Sequence, residues 1–276
     1  MSTSEPTVLF LHIPKTAGST LNNLIWRQYQ KGETFDITPN QPETALAQLT
    51  PAEQATIRFV TGHMYFGLHQ KLAQPAAYLT ILRDPVDLVI SFYYYVRYTA
   101  RHPLHRLAAP EGENMSLVEF ALHSGAPEVK NGQIRRLAGM ADGRIPCTRG
   151  HLETAKRNMQ QKFIVVGLTE AFDETLLLIR RRLGWRHLYY ARMNTNPFRQ
   201  AKEAVGPDTI AVIQEVNQLD IELYQYAAAQ FWQTIRQEGE SFAAELRRFR
   251  RMNRLAAPFL FLYWRARSRL IRAWRK

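Results

Sequence analysis

A lysine, a serine, a glycine and two threonines follow an apolar run in Val8 to Leu21, VLFLHIPKTAGSTL, and those residue types in that order can hold a phosphate. The run reads as a strand, and the residues after the turn read as a helix. N–H groups at a helix start have no intrahelical partner, and with the positive end of the helix dipole they form an anion cradle. Lys15 adds a mobile charge, Gly18 allows close approach of the backbone, and Thr16, Ser19 and Thr20 supply hydroxyls. The triphosphate-loop pattern GxxxxGK[ST] is absent, because Lys15 precedes the glycine.

Two further blocks, taken with the first, carry a family resemblance. HIPKTAGST resembles the 5'-phosphosulfate loop of sulfotransferases that use 3'-phosphoadenylyl sulfate (PAPS), in the carbohydrate branch that includes heparan sulfate 2-O-sulfotransferase. Tyr78 to Tyr98, YLTILRDPVDLVISFYYYVRY, resembles that branch's 3'-phosphate motif, in which a strand ends in Arg-Asp-Pro and a serine follows. Here these are Arg83 and Ser91. Thr61-Gly62-His63-Met64-Tyr65 resembles the Gly-His segment that carries the branch's catalytic histidine. The likeness is close from Val8 to Tyr98 and loose beyond. One departure stands out, since Leu88 occupies a position where sulfotransferases often carry a second arginine.

The resemblance implies a P-loop-like, three-layer α/β/α fold with a central parallel sheet. It implies an O-sulfotransferase that passes a sulfuryl group from PAPS to a hydroxyl of a carbohydrate or glycoconjugate. Lys15 would contact the bridging oxygen and stabilise the departing phosphate. The 5'-phosphate would lie on the loop of Pro14, Lys15, Thr16, Ala17, Gly18, Ser19 and Thr20, and the 3'-phosphate on Arg83 and Ser91. His63 would be the general base, for which an imidazole pKa near ~6.5 is suited at neutral pH. A sulfuryl group carries less negative charge than a phosphoryl group, so a lysine and backbone donors suffice, and no metal is expected.

Each of these residues also has a plainer reading: Lys15 as a solvated turn lysine, His63 as a hydrogen-bonded strand end, Arg83 as a salt-bridge partner. Two rival functions stand beside the first. One is a magnesium-dependent nucleotide kinase with Asp84 as metal carboxylate; the other is a catalytically dead, membrane-associated interaction module. Asn131, Gln133 and Arg135 resemble a polar helix lining the acceptor side, and a solvated helix face explains them equally. Gly167 to Glu170 reads as scaffold, His12 as structural, and Phe92 to Tyr95 as core packing or a stacking surface.

The elements that must position these residues follow from hydrophobic period. Strands are expected at 8–12, 57–61, 77–82 and 162–168. Helices are expected at 20–29, 43–49, 86–98, 117–123, 131–139, 172–183 and 208–235, with Asp84 and Pro85 as helix-start signals. Lys31 to Pro51 reads as an irregular excursion with the 43–49 helix inside it, and Thr99 to Asn114 as a surface loop over the site. Strands alternating with helices argue for a covered parallel sheet.

The chain has 276 residues and a formal charge of +12. Eleven lysines and arginines and no acid lie in residues 247–276, which leaves 25 basic against 24 acidic residues before them. Charge therefore belongs to the tail and gives no reason to expect a nucleic-acid partner. The expected division is a domain over 1–246 and a basic amphipathic tail over 247–276. Leu255 to Trp264 is apolar, flanked by arginines and too short to span a bilayer. It suits an anchor on an anionic membrane surface, a helix packed on the domain, or a polyanion-binding tail, with Trp264 and Trp274 near its polar edge. MSTSEPTVLF has neither a basic n-region nor a long apolar run, so a cytoplasmic protein, peripheral on a membrane at most, is expected. The single Cys147 reads as a semi-buried thiol.

Overall fold

Strand β1 (Thr7–Leu11) is buried along its whole length, and it forms the centre of the molecule because five consecutive positions need cover on both faces. It leads into α1 (Gly18–Ile25), β2 (Thr34–Ile37), α2 (Glu43–Ala47), α3 (Pro51–Thr56), β3 (Phe59–Gly62), β4 (Ala76–Leu82) and α4 (Pro85–Tyr98). Then come α5 (His105–Ala108), α6 (Leu117–His123), α7 (Gly132–Ala138), α8 (Arg149–Lys162) and β5 (Phe163–Leu168). The chain ends in α9 (Phe172–Leu183), α10 (Pro207–Val216), α11 (Gln218–Gln237) and α12 (Gly239–Trp274). The structure is a computed structural model that describes residues 6–30, 32–38, 43–192 and 196–274, with side chains through Tyr263.

The five strands form one sheet in the order β2-β3-β1-β4-β5, and every pairing is parallel. The expected α/β fold with a parallel sheet is the fold observed, with helices flanking the sheet. Ligands of such sheets bind beyond the carboxyl ends of the strands. The segments that leave the carboxyl ends of the adjacent strands β3, β1 and β4 begin at His63, His12 and Arg83.

Several elements differ from expectation. β2 falls within the stretch read as irregular; it is four residues long and pairs only with β3, so its apolar pattern is brief. Lys31, Pro39 and Pro42 of that stretch lie outside the described residues. α3 is held by a capping box, in which Thr50 Oγ1 accepts from the Glu53 N–H while the Glu53 carboxylate accepts from the Thr50 N–H. α8 was not anticipated: it is polar overall and buries only Leu152, Ala155 and Met159. The helix expected over 208–235 breaks at Asn217. That side chain is buried, donating to the carbonyls of Val129 at 2.9 Å and Ile213 at 3.0 Å.

The division expected at residue 246 falls inside α12. Phe242 and Phe249 belong to the core, Arg181 pairs with Glu245, Arg250 pairs with Glu174, and Asn253 Oδ1 accepts from the Tyr190 N–H at 2.7 Å. Between Leu255 and Tyr263 the helix presents five exposed large apolar side chains, Leu255, Phe259, Phe261, Leu262 and Tyr263. The packed tail and the exposed tail are thus two halves of one helix. Trp264 and Trp274 lie outside the described side chains. A chain ending at residue 246 loses Phe249 and the Arg250 and Asn253 contacts, and its melting temperature is expected to fall by about 10 °C. A chain ending at 254 is expected to melt within about 2 °C of the full protein, because none of the described side chains it loses, through Tyr263, is buried or belongs to the core. Scanning calorimetry of the two truncations checks this.

Candidate active site

The loop after β1 turns on two residues in the left-handed region, Lys15 at φ 67° and Ala17 at φ 63°. Thr16 between them is fully buried, and its hydroxyl donates to the Ile13 carbonyl at 2.8 Å. The Thr16 hydroxyl therefore braces the loop from inside, and the loop's backbone N–H groups are what can face an anion. Alternation into the left-handed region turns such groups toward one concavity. α1 starts at Gly18 with no side-chain cap, so its first turn opens into the same space. A Cβ on Gly18 would stand 1.7 Å from His12 Nε2, so the glycine is needed because the imidazole of His12 packs against the loop.

Arg83 leaves the end of β4 and reaches back to this loop. Its Nη1 donates to the Lys15 carbonyl at 2.8 Å, its Nε donates to Asp87 Oδ2 at 2.8 Å, and its Nη2 also bonds Asp87. The forked edge expected to grip a phosphate is held in place by Asp87. Gln133, fully buried, clamps the Arg83 backbone: its Oε1 accepts from the Arg83 N–H at 3.0 Å and its Nε2 donates to the Arg83 carbonyl at 2.9 Å. Asp220 in turn accepts from the Gln133 and Ile134 N–H groups at 2.9 and 2.8 Å. Burial pushes the Asp220 carboxyl up to about 6.

Those contacts correct both readings of the 131–139 helix. Gln133 and Arg135 are buried, and Asn131 is tied to Asn217, Val216 and Asp220. α7 is a bolt that positions Arg83. Asp84 caps α4 by accepting from the Asp87 N–H at 2.9 Å, and both its carboxylate oxygens lie 2.9 Å from Lys202 Nζ. Glu170 accepts from the Asp84 N–H and from the Tyr224 hydroxyl, so the Gly167 to Glu170 segment is scaffold for this turn.

Sequence reasoning missed Arg199. It forms an ion pair with Asp87 on the oxygen that Arg83 leaves, and its buried Nε has no partner among the described residues. Leu88, the position without the second arginine, points into the core instead. Arg199 thus brings a second guanidinium to the Arg83 cluster from a distant segment. Nothing in the local pattern of 196–202 marks it, because only tertiary folding sets it beside Asp87. Ser91 is buried on α4 and, among the described residues, makes no hydrogen bond to that cluster.

Lys15 Nζ lies 4.1 Å from the centre of the Tyr95 ring. Burial, then the positive charges of Arg83 and Arg199, lower its ammonium pKa to about 8. Of the aromatic cluster, Phe92 and Tyr93 are core while Tyr95 faces the site. The loop from Thr99 contains α5, and its His102 ring stands edge-on to Phe92 and Tyr95, which brings the loop alongside the site.

His63 follows Gly62, whose φ of 141° and tight approach to Ile37 set the strand end. His63 Nδ1 lies 2.9 Å from the His12 carbonyl. A carbonyl can only accept, so the neutral ring carries its proton on Nδ1 and leaves Nε2 as the basic nitrogen. The two imidazoles stack with centres 4.4 Å apart, and Phe10 stacks behind His12. One edge of His63 reaches solvent, yet protein surrounds the rest. That burial lowers its pKa, the His12 carbonyl partly offsets the effect, and Arg136 lowers it further. His12 is lowered more strongly, by burial first and then by His63 and Arg136. Both rings are therefore neutral at pH 7.

The Lys15 shift has a measurable sign. Below pH 8 the ammonium is charged and attracts an anion, and above it the charge is lost. Binding of adenosine 3',5'-bisphosphate is expected to weaken by up to about 30-fold between pH 7 and 9.5, while Lys15→Met shows a flat profile. Calorimetric titration across that range checks it.

A loop of left-handed turns feeding an uncapped helix, three cations around it and an imidazole nearby define an α/β protein whose site can take an anion. The chain belongs to the galactose-3-O-sulfotransferase family, whose family model matches residues 2–260. It is 28% identical to galactose-3-O-sulfotransferase 3 of Bos taurus, an alignment covering 88% of this chain and 62% of that protein. It is 26% identical to human galactose-3-O-sulfotransferase 2, over 84% of this chain and 61% of that protein. Heparan sulfate 2-O-sulfotransferase 1 of Gallus gallus is also similar, at 24% identity over 81% and 70% of the two chains. The chain spans about six tenths of the length of the galactose-3-O-sulfotransferases it matches. The likeness to the carbohydrate branch, close only to Tyr98 by motif, thus extends through most of the chain.

Proposed function

We propose that this protein transfers a sulfuryl group from PAPS to a hydroxyl of a galactose-containing glycoconjugate. The observation that carries the reading is the convergence of Lys15, Arg83 and Arg199 on one loop, with His63 Nε2 left free to take a proton. The cluster suits a nucleotide bisphosphate. Burial and then the charges of Arg83 and Arg199 depress Lys15, Arg199 Nε is buried without an acceptor among the described residues, and Asp87 pairs with both guanidinium groups.

When bound, the donor supplies the sulfuryl group and leaves as adenosine 3',5'-bisphosphate. The loop from Pro14 to Thr20 holds the 5'-phosphate through backbone N–H groups and the hydroxyls of Ser19 and Thr20. Arg83, Arg199 and Ser91 hold the 3'-phosphate, with Asp87 keeping both guanidinium planes in place before binding. Lys15 sets its charge against the oxygen that gains negative charge as the sulfur–oxygen bond breaks. His63 Nε2 accepts the proton of the acceptor hydroxyl, and its Nδ1–H bond to the His12 carbonyl holds the ring while it does so.

The kinase alternative asks Asp84 to bind magnesium, whereas that carboxylate caps α4 and pairs with Lys202. Calorimetric binding of adenosine 3',5'-bisphosphate against ATP with magnesium tests the choice. The bisphosphate is expected to bind selectively, and Arg199→Ala to weaken it at least about tenfold through loss of a charged hydrogen bond. Preference for ATP with magnesium would replace this reading with the kinase.

A further inference from the structure

The packing of α12 on the domain ends near Asn253, and the helix continues to Trp274. Just past that point Leu255, Phe259 and Leu262 are 61%, 75% and 62% exposed. Their spacing of four and then three residues sets them on one face. Phe261 and Tyr263 beside them are also exposed. A soluble surface rarely gathers so many large apolar groups on about two and a half turns of helix without a partner.

Charge decides what the partner is. Residues 247–276 carry eleven lysines and arginines and no acid, while the rest of the chain is close to neutral. A second copy of this helix would bring two such sets of like charge together with nothing to balance them. An anionic lipid surface satisfies both features, because its acyl boundary takes the apolar face and its headgroups take the arginines. The apolar stretch from 255 to 263 is about 13 Å long as helix, well under the ~30 Å of a hydrocarbon core. Among the described residues no helix is long and apolar enough to cross a membrane.

We propose that the distal half of α12, from Leu255 onward, is an interfacial helix that seats this protein on anionic lipid. The apolar stripe enters the headgroup boundary, and each arginine near the surface strengthens partitioning by about fivefold. This is independent of the transfer chemistry, since no described side chain from Leu255 to Tyr263 bonds the loop, Arg83 or His63.

The test is flotation of the full chain with vesicles of phosphatidylcholine containing about 30% phosphatidylserine, against phosphatidylcholine alone. The protein is expected to float with the anionic vesicles and to bind the neutral ones at least about tenfold less. The variant Leu255→Gln/Phe259→Gln/Leu262→Gln alters only exposed positions. It is expected to keep the wild-type melting temperature and bisphosphate affinity while losing at least about 100-fold in vesicle binding. Three results would each overturn the proposal. They are absence of flotation with either vesicle, undiminished flotation of the triple variant, and a dimer in sedimentation equilibrium that the triple variant dissolves with no change in flotation.

Discussion

Lys15→Ala is expected to lower kcat about a thousandfold, one of the two largest effects of single substitutions in this protein. Charge developing on a leaving oxygen is stabilised most by a preorganised donor in a site that excludes water, and removing one such donor costs about 10²–10³ in rate. Lys15 adds a full charge to that role. It is half-buried, held by a left-handed turn that Arg83 fixes through the Lys15 carbonyl, and its depressed pKa marks it as a cation poorly balanced until an anion arrives. Because Arg83 bonds the backbone of residue 15 and not its side chain, the loop survives the substitution. Bisphosphate affinity is accordingly expected to weaken far less than kcat, which separates leaving-group stabilisation from binding. Single-turnover kinetics with calorimetry on the same variant measure both quantities. A variant that turns over at near wild-type rates would make Lys15 a solvated turn residue.

His63→Ala is expected to lower kcat by about 10³ while leaving bisphosphate affinity within about twofold. Among the described residues the hydrogen bond of the ring is to the His12 carbonyl, whereas Arg83 bonds the Lys15 carbonyl and Asp87. His63→Gln sharpens the test, since the amide can still donate to that carbonyl but has no basic nitrogen. It is expected to be as inactive as the alanine variant. The pH profile of kcat/KM carries the sign. His63 has a lowered pKa, so the rate rises with pH below 6.5 and levels as the ring becomes neutral; it falls again near 8 as Lys15 loses its proton. Equal loss of binding and turnover in both variants would make the histidine a structural residue.

How far these residues were legible in the sequence depends on whether their signal is local. The phosphate loop, the Arg83 turn and the Gly-His strand end each sit where a buried strand stops, and an apolar run followed by turn chemistry is a local pattern. The sheet followed for the same reason, except at β2, where four residues on an edge give too short a period. α8 buries three residues of fourteen, so its polarity hides the helix. Arg199, and the role though not the presence of Gln133, were beyond reach for a different reason. One reaches Asp87 from a far segment, and the other clamps Arg83 because Asp220 on α11 holds α7 against the site. A polar residue that serves another residue's backbone looks, in a sequence, the same as one that faces water.

The most direct measurement is transfer of radiosulfur from labelled PAPS to a galactose-terminated oligosaccharide by the full chain, with Lys15→Ala and His63→Ala run in parallel. Label on the sugar with the wild type, stoichiometric release of adenosine 3',5'-bisphosphate, and loss of both in the two variants is the expected result. Absence of transfer from a folded protein that binds the bisphosphate, or transfer that survives both substitutions, would contradict the assignment of this site as a sulfotransferase centre.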